Sequence, residues 1–147
     1  MTRARGALVV VDLVAALSAV VGGIAVAVGW IEFPAEWLEG KPFTGYTIPA
    51  LVLCLVVGGS AVLATVLTLH RADVGAAASA VAGVVMMGWI VGEVAMLGPH
   101  GAYTWLQPAY FAVGLAMAAL ALATVRPELA ARSGGGEAQE RERGLGR

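Results

Sequence analysis

The stretch MMGWIVGEVAMLG, Met86 to Gly98, closes a run of apolar residues that begins at Val74. At about 1.5 Å per residue, a helix from Val74 to Leu97 is long enough to cross roughly 30 Å of hydrocarbon. Its one charged residue is Glu93, and a carboxyl group among Met, Trp, Ile and Val is costly in a protein core or in lipid. The stretch therefore predicts a membrane-spanning helix that carries a group in need of a partner.

Three further apolar runs predict three more helices, at about Ala7 to Ile31, Thr47 to Leu69 and Leu106 to Val125. We interpret the first run as a retained helix because it is longer than the apolar region of a typical cleaved signal. Hydrophobic residues make up 59% of the chain and charged residues 13%, with a mean hydropathy of +0.83. An ordinary soluble domain has about one-quarter charged residues. We predict an all-α, polytopic membrane protein with a four-transmembrane-helix bundle over 1–127 and a disordered, charged cytoplasmic tail over 128–147.

The arginines predict the orientation. They are Arg3 and Arg5 before the first run, Arg71 in the second connection, and Arg126, Arg132, Arg141, Arg143 and Arg147 after the fourth run. The first connection has three Glu and one Lys, and the third has neither Lys nor Arg. By the positive-inside rule we expect both termini to be cytoplasmic, in the inner membrane of a bacterium.

The two halves of the chain share short matches at a constant offset. GWI at Gly29 recurs at Gly88, the PA pair at 49–50 recurs at 108–109, and LATV at 63–66 recurs at 122–125. We interpret these matches as a duplicated helical hairpin, in which the copies are related by an axis along the membrane normal.

Every Trp, Tyr and Phe falls in the two outer connections or in the adjoining helix ends. Interfacial aromatic residues normally form belts on both sides of a membrane, so the one-sided placement needs a cause. One interpretation is a packed outer cap made by the first connection. The other is an aromatic-lined cavity that opens to the outside.

Glu93 belongs to the same end, roughly 6 Å inside the predicted outer boundary. Its predicted partners in a ligand-binding site are Trp89, Tyr46, Gln107, Tyr110 and His100. Two interpretations remain open. Glu93 either binds a cation or exchanges a proton beneath the aromatic residues, or it forms a hydrogen bond to Gln107 or a tyrosine that ties the third helix to the fourth.

Small residues predict close helix contacts, and two faces are candidates for self-association. One carries Gly88 and Gly92 on the third helix, and the other carries Ala19 and Gly23 on the first. We therefore expect a homodimer or a larger membrane complex. Asp12, near the cytoplasmic end of the first helix, is expected to pair with one of the nearby arginines, which are Arg3, Arg5 and Arg71.

The sequence lacks the residues or motifs that several kinds of site require. The single cysteine, Cys54, excludes an intrachain disulfide and a cysteine-based metal cluster. The two histidines, His70 and His100, are predicted at opposite membrane faces, so neither paired haem ligation nor a histidine-rich metal site is expected. No hydrolase, P-loop or dinucleotide-binding motif appears, and a net charge of −1 does not suggest nucleic acid. We predict no cofactor and no metal.

The run PFTGYTIPALVLCLVVGGSAVLA, together with EVAMLG and WLQPAYF, resembles a group of small, uncharacterised four-helix membrane proteins of high-GC bacteria. The resemblance covers roughly residues 30 to 125 and implies the architecture but no activity. The small multidrug transporters share the size and the number of helices, but their essential glutamate lies in the first helix, where this chain has Asp12. Our preferred function is binding or transport of a small cationic or proton-coupled ligand at an outward-facing site. The alternative is a non-catalytic accessory or assembly subunit of a membrane complex, and a membrane enzyme ranks third.

Overall fold

A computed structural model of the protein describes the backbone of residues 2–40, 42–97 and 105–145, and the side chains of 2–40, 42–96 and 105–125. Its long helices are α1 (Arg3–Ala27), α2 (Thr47–His70), α3 (Ala72–Leu97) and α4 (Leu106–Leu145). A short 3-10 turn, Ala35–Leu38, lies in the first connection, and α2 has a π-helical stretch at Leu53–Gly58. The described residues form no strand.

The four helices form an antiparallel bundle. Each helix packs against the next one along the chain, and α4 packs back against α1. All four are long and apolar enough to cross a membrane. The predicted all-α four-helix bundle is therefore confirmed, and the chain has the architecture of a multi-pass membrane protein.

Small residues fill the inside of this bundle and large ones cover its outside. The main core cluster is built largely of alanines, with Val57, Met86 and Met117 among them. On α1, by contrast, Val10, Leu17 and Val21 are each more than half exposed. In water such an arrangement would be unfavourable, but lipid solvates the large side chains and leaves the small ones to bring helix backbones together.

The first helix begins and ends earlier than the prediction of Ala7 to Ile31. Its start is capped by Thr2, whose hydroxyl oxygen accepts a hydrogen bond from the Arg5 amide. Its end is a Schellman motif, in which the Trp30 amide donates to the Ala25 carbonyl and the Gly29 amide donates to the Val26 carbonyl. Gly29 has a φ of 78°, which glycine adopts without a steric penalty.

The end of α1 weakens one of the three sequence matches. GWI at Gly29 lies after α1, whereas the copy at Gly88 lies inside α3, which continues to Leu97. The two copies of GWI therefore do not occupy equivalent positions in their helices. Pro49 and Pro108 do occupy the same position, the third residue of α2 and of α4. The duplication itself stays a prediction.

Beyond the membrane segment, the backbone of α4 continues to Leu145. Within the described side chains, Leu106–Val125 is the part of this helix that is apolar enough to cross a membrane. The remainder includes three consecutive glycines, at 134–136, and a high density of charge. Glycine is unfavourable in helix interiors by about 1 kcal/mol per residue. The disorder predicted for 128–147 in solution therefore stays a prediction.

Glycines allow the closest contacts between the helices. A Cβ atom on Gly75 would lie 2.3 Å from the Thr68 Cα, so α3 passes directly against α2 at this point. On α1, a Cβ on Gly23 would lie 2.7 Å from the Cβ of Cys54, and Ala19 is also buried. Gly88 and Gly92 differ, because a Cβ at either position would meet nothing within 4 Å.

Gly75→Ala should destabilise the bundle, because the new methyl group would collide with backbone atoms of Thr68 rather than with a flexible side-chain end. We expect a loss of about 1–3 kcal/mol, the usual cost of overpacking. Gly59→Ala is the matched control, since a Cβ there meets nothing within 4 Å and alanine favours the helix. Thermal unfolding in detergent compares them; equal stability of the two variants would contradict the close contact.

The homodimer stays a prediction, and the structure restricts the face that could form it. Ala19 and Gly23 are buried inside the bundle, which leaves the open face around Gly88 and Gly92. Because Leu at both glycines meets no neighbour near its Cβ, the double variant should fold but lose self-association. Cross-linking in detergent and in vesicles measures this, with Val10→Leu on the exposed side of α1 as control. Unchanged cross-linking of the double variant would exclude this face.

Candidate functional site

The first connection folds into an aromatic cap, which we define as Phe33, Trp37 and Tyr46. The ring centroids of Phe33 lie 6.0 Å from Trp37 and 5.3 Å from Tyr46. The Tyr46 hydroxyl donates a hydrogen bond of 2.9 Å to the Pro34 carbonyl. Burial raises the pKa of this phenol above its ordinary value, so Tyr46 remains a neutral donor.

Two cavities lie beside the aromatic cap, with volumes of about 140 and 310 Å³. Both are lined by Phe33, Trp37, Leu53, Trp89 and Glu93. The larger one reaches the lower end of the range of small-molecule binding sites, which is about 300–1,000 Å³. Glu93 therefore lies on the wall of both spaces.

Hydrogen bonds hold the Glu93 carboxyl group in this position. Its partners are the side chains of Gln107, on α4, and Trp89, one turn earlier on α3. The indole N–H of Trp89 can only donate, and a Gln amide can donate as well. Glu93 therefore connects α3 to α4 while it remains half-buried beside the cavities.

The cavity walls offer Glu93 no cationic partner. Among the described residues that line either cavity there is no Lys, Arg or His. The described residues contain no cluster of three or more His, Cys, Asp or Glu that could hold a metal ion. The cavities thus place a single carboxyl group beside aromatic and aliphatic side chains, and a carboxyl group in such surroundings can hold a proton or balance a positive charge.

The structure brings most of the predicted site residues together. Trp89, Glu93, Gln107 and Tyr110 line the larger cavity, and Tyr46 lines the smaller one with Glu93 and Trp89. His100 lies outside the described residues, so its place in the site stays a prediction.

Sequence reasoning missed the wall that α1 and α2 contribute. This wall includes Ser18, Gly22 and Val26 from α1 and Leu53 and Val57 from α2. Such residues carry no chemical signal, because small and aliphatic side chains are equally common at helix contacts. The π-helical stretch Leu53–Gly58 includes two of them, and π-bulges occur frequently at functional sites.

The prediction that Asp12 pairs with an arginine is wrong. Asp12 is fully buried, and its Oδ2 accepts a hydrogen bond of 2.5 Å from the Ser79 hydroxyl of α3. Arg5 instead donates to the carbonyls of Thr68 and Leu69, at 2.8 and 2.9 Å. The carbonyls at the end of a helix lack partners and carry the negative end of its dipole, so they attract a guanidinium group.

Comparison of the chain with protein-family models, with curated proteins and with solved structures finds no match. The resemblance to small membrane proteins of high-GC bacteria therefore stays a prediction. The site itself consists of one carboxyl group, an aromatic cap and two adjoining cavities at one end of a four-helix membrane bundle.

Proposed function

We propose that this protein binds a small organic cation in the cavities beside Glu93 and exchanges it for a proton. The observation that carries the proposal is the position of Glu93 on the wall of both cavities, opposite the aromatic cap. Aromatic faces attract cations by about 0.5–2 kcal/mol each, with the larger values in desolvated sites. A carboxylate then supplies the full opposite charge.

The proton has a defined place in this exchange. Without a ligand, Glu93 is neutral and hydrogen-bonded to Gln107 and Trp89. A carboxylate with no cation beside it among mainly apolar side chains is disfavoured. When a cation enters, the carboxyl group releases its proton to water and the cation takes over the charge balance. Since cation and proton compete for one group, binding strengthens as the pH rises.

The arginine distribution supports a site that faces outward in a bacterial inner membrane. Arg5 lies at the start of α1, and Arg71 lies just before the start of α3. The cavities lie at the opposite end of the bundle, beneath the first connection. By the positive-inside rule the arginine side is cytoplasmic. Ligand entry from outside, or transport that begins there, follows from this orientation.

A second candidate is an accessory or assembly subunit of a membrane complex. It is favoured by the hydrogen bonds of Glu93, because Gln107 and Trp89 together already provide a structural reason for this residue. Trp30 and Trp105 are also 81% and 76% exposed. Exposed tryptophans at a membrane end can anchor the protein at the interface or contact another membrane protein.

Choline should stabilise the purified wild-type protein more than its neutral carbon analogue, dimethylbutanol, does. Thermal unfolding in detergent across pH measures this, and at one hundred times the Kd the stabilisation is about 2.7 kcal/mol. We expect the apparent affinity to rise with pH. Glu93→Gln keeps the shape and the amide hydrogen bonds but removes the charge, so it should fold and lose at least about tenfold in affinity.

Gly22→Leu is the second variant, because it fills the larger cavity and leaves Glu93 unchanged. A Cβ on Gly22 meets nothing within 4 Å, so the variant should fold and bind choline more weakly. If choline and dimethylbutanol stabilise the wild type equally, or if Glu93→Gln binds choline as well as the wild type, the cation site is refuted. The accessory-subunit function would then be preferred.

A further inference from the structure

A second carboxyl group lies deep in the other half of the bundle. Asp12 of α1 is 0% exposed and contacts Ser79 of α3 through its Oδ2, as described above. The Ser79 hydroxyl in turn lies 3.3 Å from the Thr68 hydroxyl of α2, which is also buried. The three side chains form a polar chain across three helices.

The other oxygen of this carboxyl group, Asp12 Oδ1, is also buried. None of the described residues forms a hydrogen bond with it. An ionised Asp12 would leave part of its charge on Oδ1 with no donor from the described residues beside it, and a buried, unpaired charge costs several kcal/mol. A neutral acid avoids that cost, because Oδ1 is then an uncharged carbonyl oxygen.

Apolar clusters separate Asp12 from both ends of the bundle. On one side, fully buried Leu8 packs with Ala76 and Ala121. On the other side lies the main core cluster, which includes Ala15 and Ala82. Neither cavity beside Glu93 reaches Asp12, Ser79 or Thr68. The described residues therefore enclose the polar chain between these two clusters.

The charged groups of the neighbouring helices are directed elsewhere. Arg5 precedes Asp12 by seven residues, roughly 10 Å along α1, and its guanidinium group is bound to the carbonyls of Thr68 and Leu69. His70, Arg71 and Asp73 lie at the junction of α2 and α3, and all three are exposed. Residues 106–125 of α4 contain no Asp, Glu, Lys, Arg or His.

We propose that Asp12, Ser79 and Thr68 form a buried proton-binding site. In the protonated state the Oδ2–H group of Asp12 donates a hydrogen bond to the Ser79 hydroxyl, and the Ser79 hydroxyl donates one to Thr68. On release, the proton leaves to water as hydronium, Ser79 reverses its bond and donates to Oδ2, and Asp12 carries the negative charge. The proton is the ligand, so the reaction needs no other reactant.

A proton suits this geometry better than a metal ion does. The Ser79 Oγ and the Asp12 Oδ2 are in direct hydrogen-bond contact at 2.5 Å, which leaves no space for an ion between them. Hard cations such as Ca²⁺ and Mg²⁺ require about six or more oxygen ligands. The side chains of Asp12, Ser79 and Thr68 offer only one carboxyl group and two hydroxyls. Proton binding at Asp12 does not depend on what binds beside Glu93.

Infrared spectroscopy of the purified protein tests this site through the carbonyl stretch of a protonated carboxyl group. At neutral pH the wild type should show such a band that Asp12→Asn removes and Glu93→Gln retains. Ser79→Ala should keep the band but shift its frequency, since the acid loses its hydrogen-bond partner. This variant leaves Asp12 in place, so it tests the proposal even if Asp12→Asn does not fold.

Raising the pH should remove the Asp12 band. In the Glu93→Gln variant, which lacks the other titrating carboxyl group, replacing choline chloride by sodium chloride at constant ionic strength should leave the Asp12 band unchanged. The site is refuted if wild type and Asp12→Asn have identical carboxylic-acid bands at neutral pH, because Asp12 is then ionised. It is also refuted if Ser79→Ala leaves the frequency unchanged. Loss of the Asp12 band in sodium chloride would also refute the proton site, because Asp12 would then bind sodium in place of the proton.

Discussion

The cost of placing a carboxyl group inside an apolar bundle determines which polar contacts form at both ends of this protein. Among the described residues, neither Asp12 nor Glu93 has a cation beside it, so each needs hydrogen-bond donors or a ligand. The two positions meet this need differently. Asp12 is enclosed between apolar clusters and contacts Ser79, whereas Glu93 is half-buried, contacts Gln107 and Trp89, and lies beside two cavities.

Close helix packing produces this difference. At the Asp12 end, Gly75 allows α3 to approach Thr68, which brings Ser79 one turn later into contact with Asp12. At the Glu93 end, Gly22 lines the larger cavity and would accept a Cβ without contact. The helices leave room there, and the aromatic cap covers it. One bundle of small residues thus has a dense, proton-holding half and a half with cavities.

The sequence was sufficient for the helices but not for all of their polar contacts. Long apolar runs bounded by charge and proline define membrane helices because lipid requires them. Glu93, Trp89, Gln107 and Tyr110 could be grouped because they share one membrane end. Asp12 could not be assigned correctly, because Arg3 and Arg5 lie near it in the sequence and Arg71 is predicted at the same membrane face. The helix contact that aligns Ser79 with Asp12 has no sequence signal beyond Gly75 itself. The end of α1 was missed because the sequence alone does not distinguish a glycine that ends a helix, as Gly29 does, from a glycine within an apolar run.

Modification by dicyclohexylcarbodiimide, an apolar reagent that attacks protonated carboxyl groups, tests the central claim most directly: one neutral carboxyl group is accessible and the other is enclosed. Peptide mapping by mass spectrometry after treatment of the protein in vesicles locates the modified residue. We predict modification at Glu93 that decreases as the pH rises and as choline is added, with Asp12 unmodified under the same conditions. Modification of Asp12 in preference to Glu93, or of neither residue at any pH, would contradict the account.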